Sequence, residues 1–208
     1  MSKVLVSGEV LRKIAKTLSP ARADQMAGLL NTVCPRYGIN NPDIFHEFLA
    51  QVLHESGEFR AKVENMNYSV RGLMNTWPSR FKTFEAAKPF ARNPEALANL
   101  VYGGRMGNTK PGDGWLNRGR GFIGITGGSM YEAYAKYLNM PVDKVRELVG
   151  TDDMYALDSA CWFFSVHKGL NDEAERDEQD KITKSINGGF IGKKSRDEYY
   201  ELCKKYIQ

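Results

Sequence analysis

Two glutamates nine residues apart, Glu55 and Glu64, carry the groups that acid–base cleavage of a glycosidic bond would need. They stand in HESGEFRAKVENMNYS, where an apolar run gives way to a polar-aromatic one. Such cleavage uses one carboxyl to protonate the leaving oxygen and a second to act on water or on carbon. Two carboxyls in different settings can divide those tasks, because burial raises a carboxyl's pKa while solvation leaves it ionised. Glu55 is expected in the buried role. Ile44, Phe45, Phe48, Leu49, Val52 and Leu53 recur at helical spacing after Pro42-Asp43. At 100° per residue Glu55 falls about 20° from Phe48, near the centre of that apolar face. A structural glutamate, bonded to an arginine or to backbone, fits the same position. Glu58 is a third acid, about 60° from Glu55 if the helix ran on past Gly57, and it competes with Glu64 for the role of base.

The elements that must position these groups read as mostly helical. Ser7 can cap a first helix over 7–17, and Ser19-Pro20 opens a second over about 20–35. Region 20–35 could be a small wall-binding module, but it has neither a repeat nor an aromatic platform, and packing is the stronger expectation. Val70–Met74 suggests a short helix ending near Pro78, and 79–101 continues a smaller, mobile lobe. GGRMGNTKPGDGW follows as a long glycine-rich loop of the functional kind. FIGIT reads as a short β-like run, after which Ser129 can cap the helix MYEAYAKYLN. Further helices are expected over 141–149, 152–168 and about 194–206, with an acidic solvated run, 172–180, before KITKSIN. His54 falls off the apolar face, and His167 reads as a surface or capping residue. Trp115 and Tyr131 are possible sugar contacts, with core packing the stronger expectation.

The fold class expected is mainly α: a lysozyme-like, two-lobed helical fold with at most a small β element near the site. A single catalytic domain, 1–208, is expected, with a smaller lobe at roughly 70–105 and no separate wall-binding module. The 208 residues are 42% hydrophobic and 26% charged, with a net charge of +4, as in an ordinary globular protein with a mildly basic surface. Cys34, Cys161 and Cys203 are odd in number and lack metal-like spacing, so reduced, buried thiols are expected and no metal is called for. No run reaches the roughly 18 apolar residues of a membrane span, and the N-terminus lacks the apolar core of a signal peptide. Synthesis in a cytoplasm follows. Neither a phosphate-cradling loop nor a dinucleotide fingerprint occurs, and neither a nucleic-acid partner nor a cofactor is expected.

HESGEFR and VENMNYS, followed by GDGWLNRGRGFIGITGGSMY and SINGG, resemble glycoside hydrolase family 19, which contains plant-type chitinases and phage endolysins. The short gap between the two acids, the compact length and the RMGN segment (Arg105–Asn108) resemble the endolysin branch. The likeness runs from about Asn40 to Arg196. It implies inverting hydrolysis of β-1,4 bonds in peptidoglycan, between N-acetylmuramic acid and N-acetylglucosamine, with Glu55 as acid and Glu64 as base. It further implies that Thr126 holds the attacking water, helped by Asn187, and that Arg196 pairs with active-site carboxylates. Asn67, Tyr68, Arg120, Asn187 and Arg196 are the substrate-binding residues it points to. Free chitin as the substrate, or wall binding without catalysis, are the alternatives. A monomer acting on the cell wall after a holin-type lesion, against a bacteriophage's host, completes the implication. A lysine-rich C-terminus could touch outer-membrane phosphates, although Asp197, Glu198 and Glu201 dilute its charge. Three departures stand out. Gly124 replaces the glutamine common in the family, Met130 stands where chitinases have asparagine, and Glu58 stands where endolysins often have glycine.

Overall fold

The computed structural model describes residues 5–208. The helices follow in the order α1 (Gly8–Ile14), α2 (Pro20–Val33), α3 (Pro42–Ser56), α4 (Val70–Thr76), α5 (Phe84–Ala87), α6 (Pro94–Tyr102), α7 (Asp113–Leu116), α8 (Gly128–Leu138), α9 (Val142–Thr151), α10 (Asp153–Cys161), α11 (Asn171–Glu175), α12 (Gln179–Asn187) and α13 (Lys193–Tyr206). A π-helical segment, Trp162–His167, continues α10. Among the described residues, extended pairing is limited to two isolated bridges, Val63 with Arg120 and Arg120 with Ile125. The fold is mainly α, as a lysozyme-like helical architecture requires. The chain divides into two compact units. The first takes the chain up to Lys62, Gly121–Gly124 and Leu148–Gln208, and the second takes Val63–Arg120 and Ile125–Glu147.

In the first unit α3 is the central element. Asn41 caps it, its side chain accepting from the Ile44 amide at 2.9 Å, and Gly57 ends it in the left-handed conformation at φ 56°. Helices α11, α12 and α13 pack against it, and Phe48 meets Phe164 edge to face at 5.5 Å between centroids. Eleven of its fifteen residues are buried, His46, Glu47 and Gln51 among them. That burial corrects the expectation for Glu55. A helix packed on most of its circumference has no single apolar sector that marks depth. The one-sided packing assumed by the wheel fails, and at the last turn, where packing stops, Glu55 emerges exposed.

The chain then turns sharply. Gly57, Glu58 and Phe59 all have positive φ, 56°, 63° and 61°, which strains the two non-glycine residues. The Phe59 ring offsets that strain by burying itself against Phe122, and its amide donates to Ser56 Oγ at 2.8 Å. Asp153 secures the rest of the turn. It accepts from Arg22 and, at 2.9 Å, from Lys62 Nζ, while Arg22 also donates to the Phe59 carbonyl. The Arg22 hydrogen bond, opposed by burial and helped by Lys62, holds the Asp153 carboxyl at about 2. A depressed carboxylate contributes stability that is present above its unfolded pKa of about 4 and lost as pH falls through about 2. Asp153→Asn should therefore cost about 2 kcal/mol at neutral pH, with the difference from wild type shrinking below pH 4 in urea-unfolding curves.

The second unit has its own core: Met66, Leu73, Phe81, Ala87, Leu97, Ala98 and Val101, with Tyr68, Trp77, Phe90 and Trp115 packed against it. Helix α7 lies close on α6 because Gly114 has no side chain. A Cβ there would sit 2.6 Å from the Ala98 carbonyl oxygen.

Two local expectations are corrected. FIGIT is not a strand. Gly121 and Gly124 have φ of 82° and 72°, which bend the run into turns and leave only the single Arg120–Ile125 bridge. Ser129 does not cap α8. Gly127 is the cap residue, and the Gly128 amide is satisfied from across the loop by Asn108 Oδ1 at 2.9 Å.

Candidate active site

Glu55 sits on the penultimate residue of α3. Its Oε1 accepts from Arg196 Nη2 at 2.5 Å, and Arg196 Nη1 donates to Gln51 Oε1 at 2.5 Å. Gln51 is one turn before Glu55 on the same helix, and its amide is oriented by Thr183 Oγ1 at 3.3 Å. Arg196 is 2% exposed, so a guanidinium has been taken out of water to meet a solvent-facing carboxylate. Desolvating a cation in this way is expensive, and only its polar partners offset it. Its Nε finds no hydrogen-bond partner among the described residues. Arg196 thus serves the carboxylate, with both terminal nitrogens engaged and no exposed surface of note.

The segment after α12 packs beside the same group. A Cβ on Gly192 would lie 2.4 Å from His54 Nε2, and the residue holds φ 77° where α13 begins. His54 is half-buried, and burial, then the Arg196 charge, pushes its imidazole below the usual range. Asn187 is the exposed last residue of α12, and its side chain donates to the Ile191 carbonyl at 3.4 Å.

Glu58 is occupied elsewhere. Its carboxylate accepts from the Thr17 amide at 2.7 Å, from the Thr17 hydroxyl, and from Tyr199 Oη at 2.9 Å. Burial works to raise its pKa, but the Thr17 and Tyr199 hydrogen bonds outweigh it and hold the group below the usual carboxylate range. A buried carboxylate with three donors is a brace for the strained turn.

In the second unit Glu64 is half-buried. Its amide donates to the Gly119 carbonyl at 2.9 Å, and its Oε2 accepts from the Gly119 amide at 3.3 Å. The Tyr102 hydroxyl lies 2.7 and 2.8 Å from Oε1 and Oε2. Glu64 and Thr126 both close on Gly119. A Cβ built there would be 3.2 Å from Thr126 Oγ1 and 3.3 Å from Glu64 Oε2. The carboxylate and the hydroxyl thus approach one face of Gly119, where only a residue without a side chain fits between them. Gly124, in the first unit, has a left-handed backbone that suits glycine, and the position is exposed with open space around it.

The remaining sequence candidates fall nearby in this unit. Asn67 is exposed, its amide bonded to Asn65 Oδ1 and its carbonyl to Arg92. Tyr68 is half-buried and edge-on to Trp77 at 5.1 Å. Burial, then the Glu64 charge, raises its phenol. Arg120 donates to the Leu116 carbonyl at 2.8 Å and to Tyr131 Oη at 3.2 Å, bracing the RGR segment from within. Tyr131 is fully buried, as packing required, whereas Trp115 keeps an edge outside and carries Arg118 stacked 3.5 Å over its ring. No cluster of metal-ligating side chains occurs among the described residues.

Sequence reasoning did not find Gln51 or Tyr102, and it met Asn108 only as the last residue of RMGN, with no role attached. Gln51 was recoverable, since an amide four residues before Glu55 shares its helix face. Tyr102 and Asn108 lie 38 and 44 residues from Glu64, and no local pattern ties them to it.

No family model matches the chain. A curated protein of Haemophilus influenzae named "Glycosyl hydrolase family 19 domain-containing protein" is 39% identical over 161 residues, which is 76% of this chain and 74% of that protein. At that identity and coverage, with both glutamates set in helical units of the expected class, the chain belongs to glycosyl hydrolase family 19.

Proposed function

We propose that this protein is a peptidoglycan-cleaving endolysin that hydrolyses the β-1,4 bond between N-acetylmuramic acid and N-acetylglucosamine with inversion. Family membership supports a glycosidic-bond hydrolase. The finer reading rests on the short interval between Glu55 and Glu64 and the RMGN segment. The observation that carries it is the approach of the Glu64 carboxylate and the Thr126 hydroxyl to one face of Gly119.

In this reading Glu55 must take up a proton in the substrate complex, and it gives that proton to the leaving glycosidic oxygen as the bond to the anomeric carbon breaks. Glu64 takes a proton from the water that attacks that carbon, and Thr126 orients the water. Charge balance assigns Arg196 a part in the step. The negative charge left on Glu55 develops 2.5 Å from a buried guanidinium already in place, so little reorganisation is needed. Asn67, Tyr68 and Asn187 bind sugar, as exposed amides and a partly exposed ring can do. The two units act as one catalytic domain, and a monomer reaches the wall of a phage's host through a holin-type lesion.

The test is digestion of purified peptidoglycan followed by mass spectrometry of the new ends, with chitin in parallel. Reducing muramic-acid ends are expected. Reducing glucosamine ends from chitin alone would make the protein a chitinase, and wall binding without new ends would make it a binding protein. Thr126→Ala should lower kcat by about 10-fold or more without unfolding the protein, as loss of one positioned water contact predicts. An unaltered rate removes Thr126 from the site.

A further inference from the structure

The hydroxyl of Tyr102 sits almost equidistant from both oxygens of Glu64, on the bisector of the carboxylate. A glutamate's terminal torsion is broad and roughly two-fold, so an unbraced carboxylate would present its lone pairs over a wide arc. Here the plane is fixed. Tyr102 donates its one proton from one side, and the Gly119 amide donates to Oε2 from another, which leaves Oε1 with no second donor among the described residues.

Tyr102 is itself held. It is the last residue of α6, and its carbonyl accepts from Asn108 Nδ2 at 2.9 Å. Asn108 is fully buried in the glycine-rich loop, and its backbone carbonyl accepts from Gly104 at 2.8 Å. Its Oδ1 accepts from the Gly128 amide at 2.9 Å and from Asn117 Nδ2 at 2.8 Å. The Asn117 carbonyl in turn accepts from the Gly127 amide at 2.8 Å, directly after Thr126. One buried amide therefore anchors the tyrosine that meets Glu64 and the backbone that carries Thr126. The loop can pass this close because Gly127 and Gly128 have no side chains. Added Cβ atoms would lie 2.6 Å from Met106 Cβ and 2.7 Å from the Gly107 carbonyl oxygen.

We propose that Tyr102 is a positioning residue for the reaction, fixing the plane of the Glu64 carboxylate beside Thr126, and that Asn108 holds it there. The role rests on the assignment of Glu64 as base made above. It also gives the glycine-rich loop a function that its composition does not reveal: the loop is the brace behind the base. A tyrosine that merely satisfied its own buried hydroxyl would matter to stability and not to turnover.

The experiment is Tyr102→Phe in the full chain, read by kinetics on purified peptidoglycan, by thermal unfolding and by a crystal structure. Loss of the hydroxyl should lower kcat about 10- to 100-fold, as misplacement of a reacting group does. KM should stay within about twofold and Tm within a few degrees, since the ring keeps its packing. In the crystal the Glu64 carboxylate should rotate or occupy two orientations. Wild-type kcat overturns the proposal, as does a parallel loss of kcat, substrate affinity and Tm. If the wild-type chain itself releases no reducing ends, the functional reading falls. The orientation of Glu64 in the two crystal structures then still decides, and an unmoved carboxylate overturns the positioning role.

Discussion

Glu55→Gln should lower turnover on peptidoglycan by a factor on the order of 10²–10⁴, the usual contribution of a general acid. Gln is the informative replacement. Its amide oxygen can still accept from Arg196 Nη2, so the buried guanidinium keeps a hydrogen bond while losing its counter-charge. Breaking a fully buried pair costs roughly 3–5 kcal/mol, but Glu55 faces solvent, so a loss of about 1–2 kcal/mol is expected here. Assays run well below both melting temperatures then separate lost chemistry from lost folding. Glu55→Leu should be markedly less stable than Glu55→Gln, because it strands the guanidinium with Gln51 alone. Two further variants divide the other acids. Glu64→Gln should be as inactive as Glu55→Gln, whereas Glu58→Gln should mainly destabilise, since that carboxylate is already bound by Thr17 and Tyr199. Muramic-acid release by Glu55→Gln at the wild-type rate would reduce Glu55 to a structural partner of Arg196.

The sequence made the helical class legible because its signals were local. Ser7, Ser19 and Asn41 cap α1, α2 and α3 with their own side chains, and Pro20 and Pro42 stand in first turns. The apolar spacing that located α3 did not locate its exposed residues, because burial there depends on α11, α12 and α13, which come from the last quarter of the sequence. FIGIT misled for a complementary reason. β-branched residues raise strand propensity, but the glycines between them adopt positive φ and break the ladder. For the site, motif order brought out Glu55, Glu64, Thr126 and Arg196. What it could not bring out was the support behind them: Gln51 behind Arg196, Tyr102 behind Glu64, and Asn108 behind Tyr102. Those contacts are chosen by tertiary packing, and a single sequence does not record them.

Glu47, eight residues before Glu55 on α3, should make the protein less stable in alkali, and Glu47→Gln should remove most of that loss. The side chain is 1% exposed and its Oε1 has no hydrogen-bond partner among the described residues. Burial, followed by the charges of Asp177 and Asp197, pushes its carboxyl up to about 8, while Lys204 and a hydrogen bond with Gln179 only partly oppose this. Folded Glu47 is therefore neutral at pH 7, whereas in the unfolded chain it ionises from about pH 4.5. Between those two values the native state binds the extra proton, so stability falls as pH rises, by about 1.4 kcal/mol per pH unit for one fully shifted group. Above about pH 8 both states are ionised and the loss levels off, at a total on the order of 4 kcal/mol. Glutamine keeps the shape and a partner for Gln179 but cannot ionise. At pH 4 the variant and wild type should unfold alike. At pH 9 the variant should melt higher by an amount on the order of 10 °C for a chain of this size. The curve of Tm difference against pH is the readout, because it cancels the histidines and other acids common to both proteins. A difference that stays flat from pH 4 to 9 would mean that Glu47 is ionised in the fold and that its apparent isolation is relieved by a partner such as water or Lys204.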